Sequence, residues 1–215
     1  MHEHLNFLIL GISSFFSLMN PLGAAFVFSA MTEGQSDELK GRIARRVALV
    51  TLVTLITFAL VGEFIFSFFG LTVHGFRIAG GILFFGMGLE LLKAKESAYK
   101  GEALRPEAIE EMGITPLGIP MVCGPGAITN AMILTRDAPG AGGKLILLSV
   151  VVFMSALVFI ALVGADRIVS RLGSNGISVA KRIMGLIVMV VAVEMLHAGL
   201  RPLLMAIVRD ALAGG

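Results

Sequence analysis

Apolar runs too long for a soluble core follow one another along this chain, at 5–31, 47–69, 78–92, 116–134, 145–163 and 183–208. A helix needs about 20 apolar residues to cross a hydrocarbon layer of roughly 30 Å. Six candidate spans therefore fit into 215 residues with almost nothing left for an extramembrane domain. Backbone amides have no water to bond inside lipid, so only helices or a closed barrel can span it. These runs are too long and too evenly apolar for barrel strands, which alternate over about ten residues. Composition agrees: 56% of residues are hydrophobic, 15% are charged, and the mean hydropathy is +0.91. The expected partner is the lipid bilayer.

Several functions are excluded early. The formal charge is only +2, and the basic residues sit in short clusters between apolar runs, which reflects membrane orientation rather than nucleic-acid binding. Cys123 is the single cysteine, which rules out an internal disulfide and the paired thiols of a membrane redox carrier. His2, His4 and His74 are dispersed and form no zinc or haem ligand set. No glycine-rich loop with a lysine is present to cradle a nucleotide phosphate, and no cofactor or enzymatic activity is expected. The opening Met-His-Glu-His lacks the basic flank of a cleavable signal peptide, so the first run is expected to remain as an anchor.

Lys and Arg sort unevenly among the connections. Lys40, Arg42, Arg45 and Arg46, then Lys93, Lys95, Lys100 and Arg105, then Arg167, Arg171, Lys181 and Arg182 follow the first, third and fifth runs. The other side holds Arg77, Arg136, Lys144, Arg201 and Arg209. The positive-inside rule makes the first group cytoplasmic and places both termini outside a prokaryotic plasma membrane.

The two halves repeat one another. Asn20-Pro21-Leu22-Gly23-Ala24 is matched by Gly124-Pro125-Gly126-Ala127, Gly62-Glu63 by Gly164-Ala165-Asp166, and Arg77-Ile78-Ala79-Gly80 by Arg182-Ile183-Met184-Gly185, all at offsets of roughly 103 to 105 residues. Each half contains three runs, so the second must enter the membrane from the opposite face. The expected fold is an all-α polytopic membrane protein with six transmembrane helices in two inverted three-helix repeats, 1–93 and 116–215, joined by a cytoplasmic linker at 94–115.

The first and fourth runs carry helix breakers deep within the apolar stretch. Pro21 lacks an amide donor and biases Asn20 away from helical dihedrals, and Gly23 lowers helix propensity further. Pro116, Pro120 and Pro125 with Gly118, Gly124 and Gly126 interrupt the fourth run harder. Paired interruptions at matching repeat positions are the best sequence pointer to the central site of a transporter. Half-helix N-termini near Gly23 and Gly126 offer amides to a carboxylate, and carbonyls near Met19 and Cys123 suit an ammonium group. The substrate expected on these grounds is a small zwitterion, bound around Asn20, Pro21, Gly23, Gly124, Pro125, Gly126, Ala127 and Thr129. Proline and glycine also make mere kinks in membrane helices, Asn20 can equally cap freed backbone, and Thr129 and Asn130 can bond carbonyls a turn back.

Three carboxylates are candidates for coupling to protons or another ion, because burying a charge in a membrane is costly. Glu63 and Asp166 hold matching places near span ends, where a solvated helix end is the competing reading. Glu194 shares a helical face with His197 and Arg201, as a relay or as side chains reaching the interface. Cys123 is expected to be a packing residue.

Ser17-Leu18-Met19-Asn20-Pro21-Leu22-Gly23 and Pro116-Leu117-Gly118-Ile119-Pro120 running into Gly124-Pro125-Gly126-Ala127-Ile128-Thr129 resemble the MarC-type (SnatA-like) small neutral amino acid transporters of bacteria and archaea, the NAAT family, across essentially the whole chain. The resemblance implies about six spans, discontinuous first and fourth helices, and transport of glycine, alanine and similar amino acids coupled to H+ or, failing that, Na+. It places the functional region on Asn20, Pro21, Gly23, Gly124, Pro125, Gly126 and Thr129. Export of another small solute, a non-transporting membrane scaffold or regulator, and a homo-oligomeric assembly remain open alternatives.

Overall fold

A computed structural model describes residues 2–32, 34–93, 117–170 and 173–213. The linker expected at 94–115, and Pro116, lie outside the described residues. The described residues contain helices and short connections only. The first apolar run forms α1 (His2–Met19) and α2 (Pro21–Met31), separated by Asn20 alone. The second lies within α3 (Asp37–Phe68) and the third within α4 (Val73–Lys93). The fourth is a π-helical turn (Leu117–Val122) followed by α5 (Pro125–Arg136). The fifth lies within α6 (Gly140–Val163), a short α7 (Ala165–Ser170) follows, and the sixth lies within α8 (Gly173–Ala213).

Among the described residues four segments are long and apolar enough to cross a membrane: His2–Ser29, Asp37–Phe68, Gly140–Val163 and Gly185–Arg209, with Val73–Leu89 a shorter apolar helix. The π-turn and α5 together make a fourth run of two short pieces, as the breakers require. The polarity of the fold is that of a membrane protein. Phe64, Phe68, Leu60, Leu145 and Ile160 are each at least 64% exposed, which water would penalise and lipid does not.

α3 begins after Ser36, whose hydroxyl accepts the amide of Leu39, with Asp37 and Glu38 in the first turn where the helix dipole favours acids. It packs against α5 and α6, burying Ile43, Val47, Thr51, Leu55, Ala59 and Gly62. α6 runs antiparallel to it: Lys40, in the first turn of α3, is ion-paired to Asp166, just beyond the end of α6. The facing side of α6 buries Leu147, Val151, Met154, Ser155 and Val158. The hydroxyls of Thr51 and Ser155 are both buried without a hydrogen-bond partner, and they stand 104 residues apart, the offset of the sequence repeat.

α4 and α8 form a second packing unit, centred on Phe84, Val188, Ala192 and Met195. Glycines let the two helices approach: a β-carbon on Gly88 would lie 2.9 Å from the Gly185 carbonyl, and one on Gly81 3.0 Å from that of Ala192. Close backbone approach between small residues is how membrane helices gain contact where lipid is as apolar as leucine. The same helix reaches the middle of the bundle, because Gly80 lies so tightly against the Pro125 ring that no β-carbon fits between them.

Candidate functional site

The break between α1 and α2 is a single residue in a left-handed conformation. Asn20 has φ 42° and ψ 67°, and no other non-glycine described residue has positive φ. Proline at 21 disfavours the helical region for its predecessor, and asparagine is the residue type that enters the left-handed region most readily after glycine. The chain then restarts at once. The Asn20 carbonyl accepts the Ala24 amide at 2.9 Å, and its side-chain Oδ1 accepts the Gly23 amide at 3.1 Å. A β-carbon on Gly23 would collide with the Asn20 amide group, so Gly23 leaves room for this cap. Of the two roles open to Asn20, the structure has it capping the backbone.

The second break is built differently. Within the π-turn each amide reaches back five residues, as in the 2.8 Å bond from Cys123 N to the Gly118 carbonyl. Gly124 is extended at φ −78° and ψ 171°, Pro125 opens α5, and no side chain caps that start. The Gly126 and Ala127 amides in this first turn have no intrahelical acceptor. Thr129 is buried and its hydroxyl donates to the Gly126 carbonyl at 3.1 Å, which is the backbone role. Asn130 donates to the Ser14 hydroxyl at 3.0 Å, tying α5 to α1. Cys123 is fully buried, as a packing residue should be.

The two breaks are neighbours. α5 packs on α1, and the π-turn packs on α1 and α2. A β-carbon on Gly126 would meet only the tip of Leu18, at 3.0 Å, two residues before Asn20. Pro21, Gly23, Gly124, Pro125, Ala127 and Thr129 are buried, while Asn20 and Gly126 are half-buried. This places an uncapped positive helix end beside the C-terminal end of α1, whose last carbonyls lack helical donors. Such a pair of ends can hold an anionic and a cationic group of one small molecule.

The three candidate carboxylates are not brought together. Asp166 accepts from Lys40 Nζ at 2.6 Å and from the Ser29 hydroxyl at 3.0 Å, joining α2, α3 and the start of α7. Glu63 is exposed and lines an open cavity of about 490 Å3 with Met132, Thr135, Arg136 and Lys144. Glu194, His197 and Arg201 are all exposed on α8 and make no hydrogen bond or ion pair among the described residues. Sequence reasoning missed Ser29 and Lys40 as partners of Asp166, and Gly80 as the seat of Pro125. The signal for Lys40 was present: Lys144 stands at the repeat offset from it. Among the described residues no group of His, Cys, Asp and Glu could hold a metal ion.

Described residues that are helical apart from short connections, with many large apolar side chains exposed and two interrupted helices brought together inside, make up a polytopic integral membrane protein. The MarC family of integral membrane proteins matches residues 5–204, and the chain belongs to that family. It is 39% identical to a UPF0056 membrane protein of Pyrococcus abyssi over 86% of this chain and 90% of that one. It is 34% identical to a UPF0056 membrane protein of Methanocaldococcus jannaschii, covering 92% and 97%, and 34% identical to one of Bacillus subtilis, covering 91% and 95%. No solved structure matches.

Proposed function

We propose that the protein is a secondary transporter of small neutral amino acids such as glycine and alanine, coupled to protons, and a carrier rather than an enzyme. The observation that carries this reading is the adjacency of two helix interruptions, at Asn20 and at Cys123–Gly124, inside an apolar bundle. A helix break in lipid exposes polar backbone and persists where it lines a cavity or is otherwise satisfied. Here the first is satisfied by Asn20 and the second has amides left over, which suits a substrate carboxylate at Gly126 and Ala127. The small residues around the break, Gly23, Ala24, Gly126 and Ala127, favour a small substrate.

The reading takes the six apolar runs as six spans in two inverted repeats, supported by the common offset of the motifs and by the matched positions of Thr51 and Ser155. The basic connections support a cytoplasmic Lys40 face in a prokaryotic cell. The carboxylates at Glu63 and Asp166 then stand at opposite faces, suited to taking up and releasing a proton.

A ligand panel on the detergent-purified protein tests the substrate class. At a hundred times its dissociation constant a bound ligand stabilises the folded state by about 2.7 kcal/mol. Glycine, alanine and serine are expected to raise the melting temperature, and glutamate, lysine and tyrosine to leave it unchanged. Failure of every zwitterion to shift melting would remove the substrate assignment. Counterflow with the same panel separates amino acid transport from export of another solute.

A further inference from the structure

The strongest unexplained feature is a pair of charges at each end of the antiparallel helices α3 and α6. At one end Lys40 and Asp166 are in contact at 2.6 Å, with the Ser29 hydroxyl on the second carboxylate oxygen at 3.0 Å. At the other end Glu63 and Lys144 face the same open cavity of about 490 Å3 and form no ion pair among the described residues. The two ends lie 23 residues apart along α3, about 35 Å at 1.5 Å per residue, slightly more than the roughly 30 Å hydrocarbon core of a membrane.

These four residues are related by the repeat. Lys144 follows Lys40 by 144 − 40 = 104 residues and Asp166 follows Glu63 by 166 − 63 = 103, against 125 − 21 = 104 for the prolines of the two breaks. Each pair takes its lysine from one half of the chain and its carboxylate from the other, with the halves exchanged between faces. Unrelated surface pairs have no reason to obey such an exchange. The open cavity reaches inward to Ala59 and Met132, and Met132 lies six residues beyond Gly126, about 9 Å along α5. The open face thus lies on the α5 side of the uncapped helix start, and at the closed face Ser29 of α2 is bonded to the Asp166 carboxylate.

We infer that Lys40–Asp166 and Lys144–Glu63 are the two gates of one carrier, closing alternately on opposite faces of the membrane; this rests on the transport reading above. α3 and α6 pack along their length, so tilting one against the other brings one pair of ends together as it parts the other. The structure is the state with the Lys40 gate shut and the Lys144 gate open. Half-exposed ion pairs are weak ties, as a gate that must open in every cycle requires. Arg136 shares the open cavity and has Asp137 at 3.8 Å, so Lys144 is the partner the repeat assigns to Glu63.

Spin labels on the full chain in lipid nanodiscs test this directly. In a Cys123→Ala background, labels replacing Glu38 and Val163 report on the Lys40 face, and labels replacing Phe64 and Leu145 on the Lys144 face. Asp166→Asn is expected to lengthen the first distance and shorten the second by several ångströms each. The exchanged pair Lys40→Asp with Asp166→Lys is expected to restore the original distances, and adding Lys144→Gln to Asp166→Asn to abolish the shortening, whereas Arg136→Gln leaves it in place. Distances that stay fixed in Asp166→Asn, or a first distance that lengthens while the second stays put, would overturn the gates. Labelled alanine uptake by the same variants separates this from the substrate reading. Exchanging distances without uptake uphold the gates against the amino acid assignment; uptake with immobile distances removes the gates alone.

Discussion

Asn20 does two things at once. Its left-handed backbone turns the chain out of α1, and its side chain caps α2 through the Gly23 amide. Glycine at this position would keep the backbone and lose the cap, at a cost of a few tenths to about 1 kcal/mol. Alanine would lose the cap and also pay about 1–2 kcal/mol for the left-handed conformation. The expected order of thermal stability is therefore wild type, Asn20→Gly, Asn20→Ala, measured by unfolding in detergent. An inverted order would mean that the break does not depend on this conformation. The sequence marked Asn20 and Thr129 as polar residues beside breakers but left their roles open. Capping depends on whether an oxygen falls near one particular amide, and that follows from dihedral angles that residue types only bias.

At the scale of helices, breakers were the legible feature and partners were not. Proline removes a donor wherever it stands, but Pro202 lies inside α8 without ending it; Pro21 and Pro125 were legible as breaks because Asn20 and Gly23, and Gly124 and Gly126, stand beside them. The pairing of α4 with α8 was not legible, because neither helix gathers its apolar residues on one face and periodicity loses its meaning where the solvent is apolar too. The contact is written instead in glycines whose spacing becomes interpretable only with both helices in view. Gly86 and Gly88 supply a matched test. A β-carbon at Gly88 would lie 2.6 Å from Met189 Cγ and 2.9 Å from the Gly185 carbonyl, whereas one at Gly86 meets nothing within 4 Å. Gly88→Ala is expected to destabilise by about 1–3 kcal/mol through overpacking. Gly86→Ala should be neutral or stabilise by up to about 1 kcal/mol through helix propensity. Equal melting temperatures for the two variants would contradict the packing described. The fourth run shows a further gap: a π-turn was not legible, since residues 117–122 carry the breakers of an ordinary kink.

For the molecule as a whole, the sequence showed membrane residence and the family, and it singled out the place where the two breaks meet. It did not show which charges pair across the bundle, because contacts between distant segments have no local signature. The structure adds an asymmetry between faces, with Lys40 and Asp166 joined on one and an open cavity at Glu63 on the other. The neighbouring breaks are the proposed substrate site, and Gly126 is the position that probes it with least disturbance. Among the described residues a β-carbon there would meet only the flexible tip of Leu18, so a larger side chain should crowd the space between the breaks while the fold survives. The most direct measurement is uptake of labelled alanine into proteoliposomes by wild type and Gly126→Leu, each checked for unchanged helicity and monodispersity. The account predicts uptake well above empty vesicles for the wild type under an inward proton gradient, and a loss of at least about tenfold for the variant, equivalent to roughly 1.4 kcal/mol. Wild-type uptake no higher than that of empty vesicles under any ion gradient, or a folded Gly126→Leu that transports as well as the wild type, would contradict it.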